Sequence, residues 1–73
     1  MSTFTLPLGA RASKRPLSDF PLHAMGVRVV SLRRSNGMPS ALSEDTVLED
    51  GDTLVLSGKA EALALAEIHL LKG

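Results

Sequence analysis

Five basic residues are the first candidates for chemistry. Arg28, Arg33 and Arg34 fall in one short stretch, and Lys14 and Arg15 precede it. Arginine grips phosphate or carboxylate with a planar, two-pronged set of donors, so this is a candidate site for a small anionic ligand. Successive strand residues point to opposite faces, which separates Arg33 from Arg34. The cluster then converges on one ligand only if a second subunit contributes. The alternative is a solvated strand end paired with Glu44, Asp45 or Glu49. His23 and His69 are candidate pH sensors, because histidine changes charge nearest to neutrality; otherwise they are plain loop and helix-surface residues. Glu67 falls on a helix face shared with Ala60, Leu63, Ala64, Leu70 and Leu71. It is either a buried acid with a basic or intersubunit partner, or a side chain that reaches water past Ala60 and Ala64.

Other chemistries lack their residues. No spacing supports a Ser-His-Asp arrangement. Gly9, Gly26 and Gly37 are isolated turn glycines, not a phosphate loop. There is no cysteine, and two histidines alone are a poor basis for a structural zinc site. No enzyme activity, cofactor or metal is expected. The chain carries eight basic and eight acidic residues and has no Trp or Tyr. It therefore lacks the basic field and stacking rings of a nucleic-acid binder. No apolar run approaches the ~18 residues of a membrane span, and the N-terminus has no signal-peptide core. These points predict a soluble, cytosolic domain.

The elements that must position these residues follow from the hydropathy pattern. Seventy-three residues make one domain (1–73) with a small core. Phe4, Leu6 and Leu8 alternate with polar residues or Pro7 and predict a strand that ends near an edge. Ser13 to Phe20 predicts a short helix with Pro16 in its first turn, stopped by Pro21. Val27 to Arg34 predicts a strand with apolar residues on both faces, as in a central strand or a dimer contact. Asn36-Gly37 predicts a type I′ hairpin turn, with Met38 to Leu42 as a short return strand. Val47 and Leu48 are expected core anchors. Gly51 and Asp52 form a turn, because Gly takes positive φ cheaply and Asp bonds nearby backbone. Thr53 to Ser57 is the next strand. Gly58 marks its exit, Ser57 is a candidate helix cap, and Glu61 and Lys72 complement the two ends of a final helix. Gly73 is its expected terminator. The predicted class is α+β: a small, mostly antiparallel sheet of about four strands with two helices.

The order of three segments carries a resemblance. They are the helix entry ending at Leu17, the strand Val27-Arg-Val-Val-Ser-Leu-Arg-Arg, and Asp45-Thr-Val-Leu with Gly51-Asp52, Leu54-Val-Leu and Gly58. Together they resemble the TrkA C-terminal domain, the C-terminal half of the regulator-of-potassium-conductance (RCK) module, from about Phe4 to Leu71. That family often places a glycine near position 14, where this chain has Lys14-Arg15-Pro16. The Ala/Leu/Glu-rich last helix looks most like versions on bacterial monovalent cation:proton antiporters of the glutathione-gated potassium efflux type. The resemblance implies an excised C-terminal regulatory fragment of a transporter, at the cytoplasmic face of the inner membrane. Its implied partners are a second copy (a homodimer) and the upstream nucleotide-binding and membrane domains. The other reading is a purely structural dimerisation module with no ligand.

Overall fold

The computed structural model describes residues 1–72; Gly73, the expected helix terminator, lies outside the described residues. The elements are β1 (Ser2–Thr5), a 3₁₀ turn (Leu17–Asp19), β2 (Arg28–Arg33), β3 (Pro39–Ser40), β4 (Thr53–Ser57) and α1 (Ala60–Lys72). The strands form one antiparallel sheet in the order β1-β4-β2-β3. The architecture is α+β with one α-helix, not two.

The sheet is centred on β4, whose Leu54 and Leu56 are fully buried while Thr53, Val55 and Ser57 face the other way. Alternation of this kind buries one face of a strand and leaves the other at the surface. Leu6, Leu32, Leu48, Leu63, Ala66 and Leu70 join the same cluster. The buried positions of α1 are Leu63, Ala66 and Leu70, a three-then-four spacing that makes one helical stripe. Ala60 and Ala64 are exposed and Glu67 is half-buried, so the core face is rotated away from the Ala60–Ala64 edge expected of it. Two carbonyls in the last turn of α1 are satisfied from outside the helix. Arg11 and Ala12 donate their N–H groups to the Leu71 and Leu70 oxygens, at 3.0 and 2.9 Å.

Four local departures have physical causes. The first strand stops at Thr5, because Pro7 begins a turn closed by the Ala10 N–H on the Pro7 oxygen. Leu8 is thereby thrown out and is 88% exposed. The helix expected over 13–20 shrinks to the 3₁₀ turn Leu17–Asp19. Lys14 adopts φ +65° and Pro16 is extended at φ −72°, ψ 155°, so only the residues after Pro16 can coil. Lys14 stands where the resembled family tends to carry glycine, the residue that adopts such a φ at least cost. The Asn36-Gly37 hairpin is not type I′. Gly37 has φ +84°, but Asn36 is not at positive φ. Gly37 donates to the Arg34 oxygen and Arg34 to the Met38 oxygen, giving a three-residue loop with a left-handed glycine at its end.

The fourth departure is in β2. The pairing with β4 slips between Val29 and Ser31, a β-bulge. Val29 faces Leu56 and Leu32 faces Leu54, so these two share the core side despite their odd spacing. Val30 is the extra residue and is exposed. The bulge therefore accounts for core-side apolar residues in both phases of this strand. Val47 is also exposed, because the isolated bridge to Pro16 turns it outward while Leu48 is completely buried.

Candidate functional site

The three arginines separate. Arg34 is held by Asp52, with its Nη1 donating to Asp52 Oδ2 at 2.6 Å and to the Val47 oxygen at 2.9 Å. Asp52 is 1% exposed, and its Oδ2 also accepts the Glu49 N–H at 2.9 Å. This is the local backbone bond expected of the Gly51-Asp52 turn, with a buried ion pair added. Arg34 thus fastens the hairpin after β2 to the turn before β4. Gly51 has φ +83°, and a Cβ there lies only 2.9 Å from Ser35 Cβ in the same hairpin. Arg33 donates to the Gly37 oxygen at 2.9 Å and closes its own loop. Arg34 is therefore committed to Asp52, while Arg33 is exposed and spends one donor on its own loop; none of Glu44, Asp45 or Glu49 pairs with either through its carboxylate.

Arg28 sits at the opposite end of β2. It is exposed, and the ion pairs among the described residues are Arg15–Asp19 and Arg34–Asp52, so its guanidinium carries no carboxylate partner there. It borders an open groove of about 650 Å³. Its lining includes Leu17, Phe20, Leu22, Val27, Val29, Leu42 and Glu44. His23 and Arg28 also line an adjoining hollow of about 420 Å³.

Backbone bonds between distant segments build the groove. Leu17 and Ser18 donate to the Thr46 and Glu44 oxygens, each at 2.9 Å, and fasten the 3₁₀ turn to the 42–46 loop. Val27 donates to the Leu22 oxygen at 2.8 Å, and Gly26 to the His23 oxygen at 3.0 Å, folding the chain tightly into β2. Gly58 is required on the far side of this turn, where an added Cβ stands 2.8 Å from the Gly26 oxygen. The result is a largely apolar groove whose ionisable lining residues are Arg28, His23 and Glu44. Such a surface suits a ligand with a flat apolar body and an anionic group.

The remaining candidates are ordinary. His69 is on the exposed side of α1. Glu67 accepts a 3.1 Å hydrogen bond from Ser2 Oγ of β1, so it neither meets a basic residue nor simply leaves for water. Among the described residues no three metal-capable side chains gather. The groove was not visible as a motif, because it joins segments 17–24, 27–29 and 42–44. The only local signal was the pair Pro16 and Pro21, which bracket its 3₁₀ wall.

The model of the TrkA-C domain matches residues 1–69. The chain belongs to the TrkA-C domain family. A solved structure described as "Structure of RCK domain with cda" superposes with a TM-score of 0.71 over 96% of this chain and 99% of that one. It is 24% identical in sequence and shows that the TrkA-C domain here has the fold of that RCK domain. No curated protein matches the chain. TrkA-C and RCK domains are regulatory, non-catalytic domains of potassium transport systems. No helix among the described residues is long and apolar enough to cross a membrane.

Proposed function

We propose that this TrkA-C domain is the cytosolic regulatory module of a monovalent cation:proton antiporter, of the glutathione-gated potassium efflux type, and works as a pair of domains. It is attached through upstream nucleotide-binding and membrane domains of the parent chain. Its groove takes a small anionic ligand. Binding shifts the parent between active and inactive states by favouring one arrangement of the paired domains, which requires different affinity for the two. The observation that carries the ligand reading is Arg28, which has no carboxylate partner among the described residues and lines a groove of about 650 Å³. That an RCK domain of the same fold was solved "with cda" supports it.

The alternative, a dimerisation module without ligand, is favoured by Arg34, which is committed to the buried Asp52. Thermal melting in a panel of mono- and dinucleotides separates the two. A specific ligand at ~100 times its Kd adds roughly 2.7 kcal/mol of stability. The groove reading expects one member to raise Tm in the unaltered domain and to lose that effect in Arg28→Ala. No shift with any member leaves the structural module.

A further inference from the structure

The outer face of α1 carries an ordered stripe that the fold does not use. Glu61, Leu65, Ile68 and Lys72 are all exposed, with Leu65 at 54% and Ile68 at 53%. Their spacing is four, three, four. At ~100° per residue they fall within an arc of about 60°. This is the spacing of a coiled-coil seam, two apolar residues in the middle and one opposite charge at each end. The core face of the same helix is already filled by Leu63, Ala66 and Leu70. The stripe is therefore surplus to monomer packing.

Its pattern is complementary to itself. Consider a two-fold axis crossing the helix between Ala66 and Glu67. It lays a second α1 antiparallel on the first and sets Leu65 against the second copy's Ile68. The same operation sets Glu61 against the second copy's Lys72, and each contact occurs twice. A parallel arrangement instead places Glu61 near Glu61 and Lys72 near Lys72, which is repulsive. Ala64, exposed beside the stripe, has no bulk to hold the helices apart at the usual axial distance of ~8–10 Å. An isologous contact has this property by necessity, since the same patch serves both partners. A stripe fitted to some other partner has no reason to mirror its own charges.

We propose that α1 is the self-association surface of this domain, pairing antiparallel with α1 of a second copy through Leu65 and Ile68, with Glu61–Lys72 pairs at both ends. This rests on the reading that the domain works as a pair, and it places the contact on α1 rather than on β2. The stripe is well short of the ~800 Å² per partner of a standard interface. Isolated domains accordingly pair weakly, and tethering within a parent assembly strengthens the contact through effective concentration.

Disulfide trapping tests the geometry, and the absence of native cysteine makes it clean. Eleven residues at 1.5 Å rise put Glu61 about 16 Å from the second copy's Glu61 in the antiparallel arrangement, too far to cross-link. The double variant Glu61→Cys/Lys72→Cys should form a covalent dimer under mild oxidation, while neither single variant does. Lys72→Glu should weaken association about tenfold, because attractive pairs become repulsive ones. The swap Glu61→Lys/Lys72→Glu should restore it. All these positions are exposed, so the monomer fold is retained, which far-UV circular dichroism checks. A single Glu61→Cys variant that cross-links as well as the double one overturns the antiparallel contact. An unaltered domain that sediments as a dimer indifferent to these changes also overturns it, while leaving the paired-domain reading in place. A monomer at millimolar concentration, with no trapping in any variant, overturns both.

Discussion

Removing Arg34 is the perturbation that weighs most on how this domain is held together. Its partner Asp52 is 1% exposed, and Arg34 itself is 31% exposed along its side chain. Arg34→Ala leaves a carboxylate in the interior with one backbone N–H and no counter-charge, and Asp52 Oδ1 is already without a hydrogen-bond partner. Breaking a fully buried pair from one side costs ~3–5 kcal/mol. Since Arg34 is about one-third exposed, its loss admits water to Asp52, and about 2–3 kcal/mol is the reasonable expectation. A domain of this length has a total stability of roughly 4–11 kcal/mol, so the variant loses a large share of it. The corresponding fall in Tm is about 10–20 °C. Far-UV circular dichroism is the probe, because the chain has neither Trp nor Tyr to report by fluorescence. The double variant Arg34→Met/Asp52→Leu should be more stable than Arg34→Ala, because it removes the buried charge with its partner. An Arg34→Ala protein melting within ~0.5 kcal/mol of the parent domain would refute the reasoning and return Arg34 to the pool of free, ligand-ready arginines.

Three further substitutions probe the backbone and the groove. Gly51→Val should destabilise strongly, since it combines a β-branched residue at φ +83° with a Cβ 2.9 Å from Ser35 Cβ; exposed Glu49→Ala should stay within ~0.5 kcal/mol, and equal midpoints in urea would show that Gly51 is under no constraint. Lys14→Gly should stabilise by up to about 1 kcal/mol, because relief of a left-handed lysine outweighs the extra chain entropy of glycine; a lower Tm would mean that the lysine side chain compensates for its φ. Arg28→Ala should leave stability within ~0.5 kcal/mol, since Arg28 is exposed and pairs with no acid among the described residues; a large fall in Tm would show that it serves the fold and not the groove.

The parts of this fold legible in the sequence are those fixed by local chemistry. The segment from Gly51 to Ser57 announces itself, because a turn glycine, a backbone-bonding aspartate and a short apolar run each have one easy conformation. The long amphipathic α1 is legible for the same reason, although its core face lies one position away from the Ala60–Ala64 edge. What escaped is set by partners distant in sequence. The Val29/Ser31 bulge exists only against β4, and it breaks the two-residue period on which face assignments rest. The helix expected after Ser13 yields to backbone bonds with Leu48, Thr46 and Glu44, which local propensity cannot anticipate. The arginines show the same limit at the candidate site. Three cations in seven residues suggest one anion site, yet Asp52 claims Arg34 and Arg33 lies at the other end of β2 from Arg28. Of the three, Arg28 lines the groove, whose lining is drawn from three separated segments.

The most direct test of the regulatory account is made on the transporter that the proposal assigns as its parent chain. Cation-coupled proton flux is measured in vesicles holding equal amounts of the full-length protein and of a version lacking residues 3–73 of this domain. The account predicts that both conduct the exchange, because the ion pathway lies outside the domain, and that the truncated protein has lost or altered its regulation. Flux, regulation and assembly identical in the two proteins would contradict it.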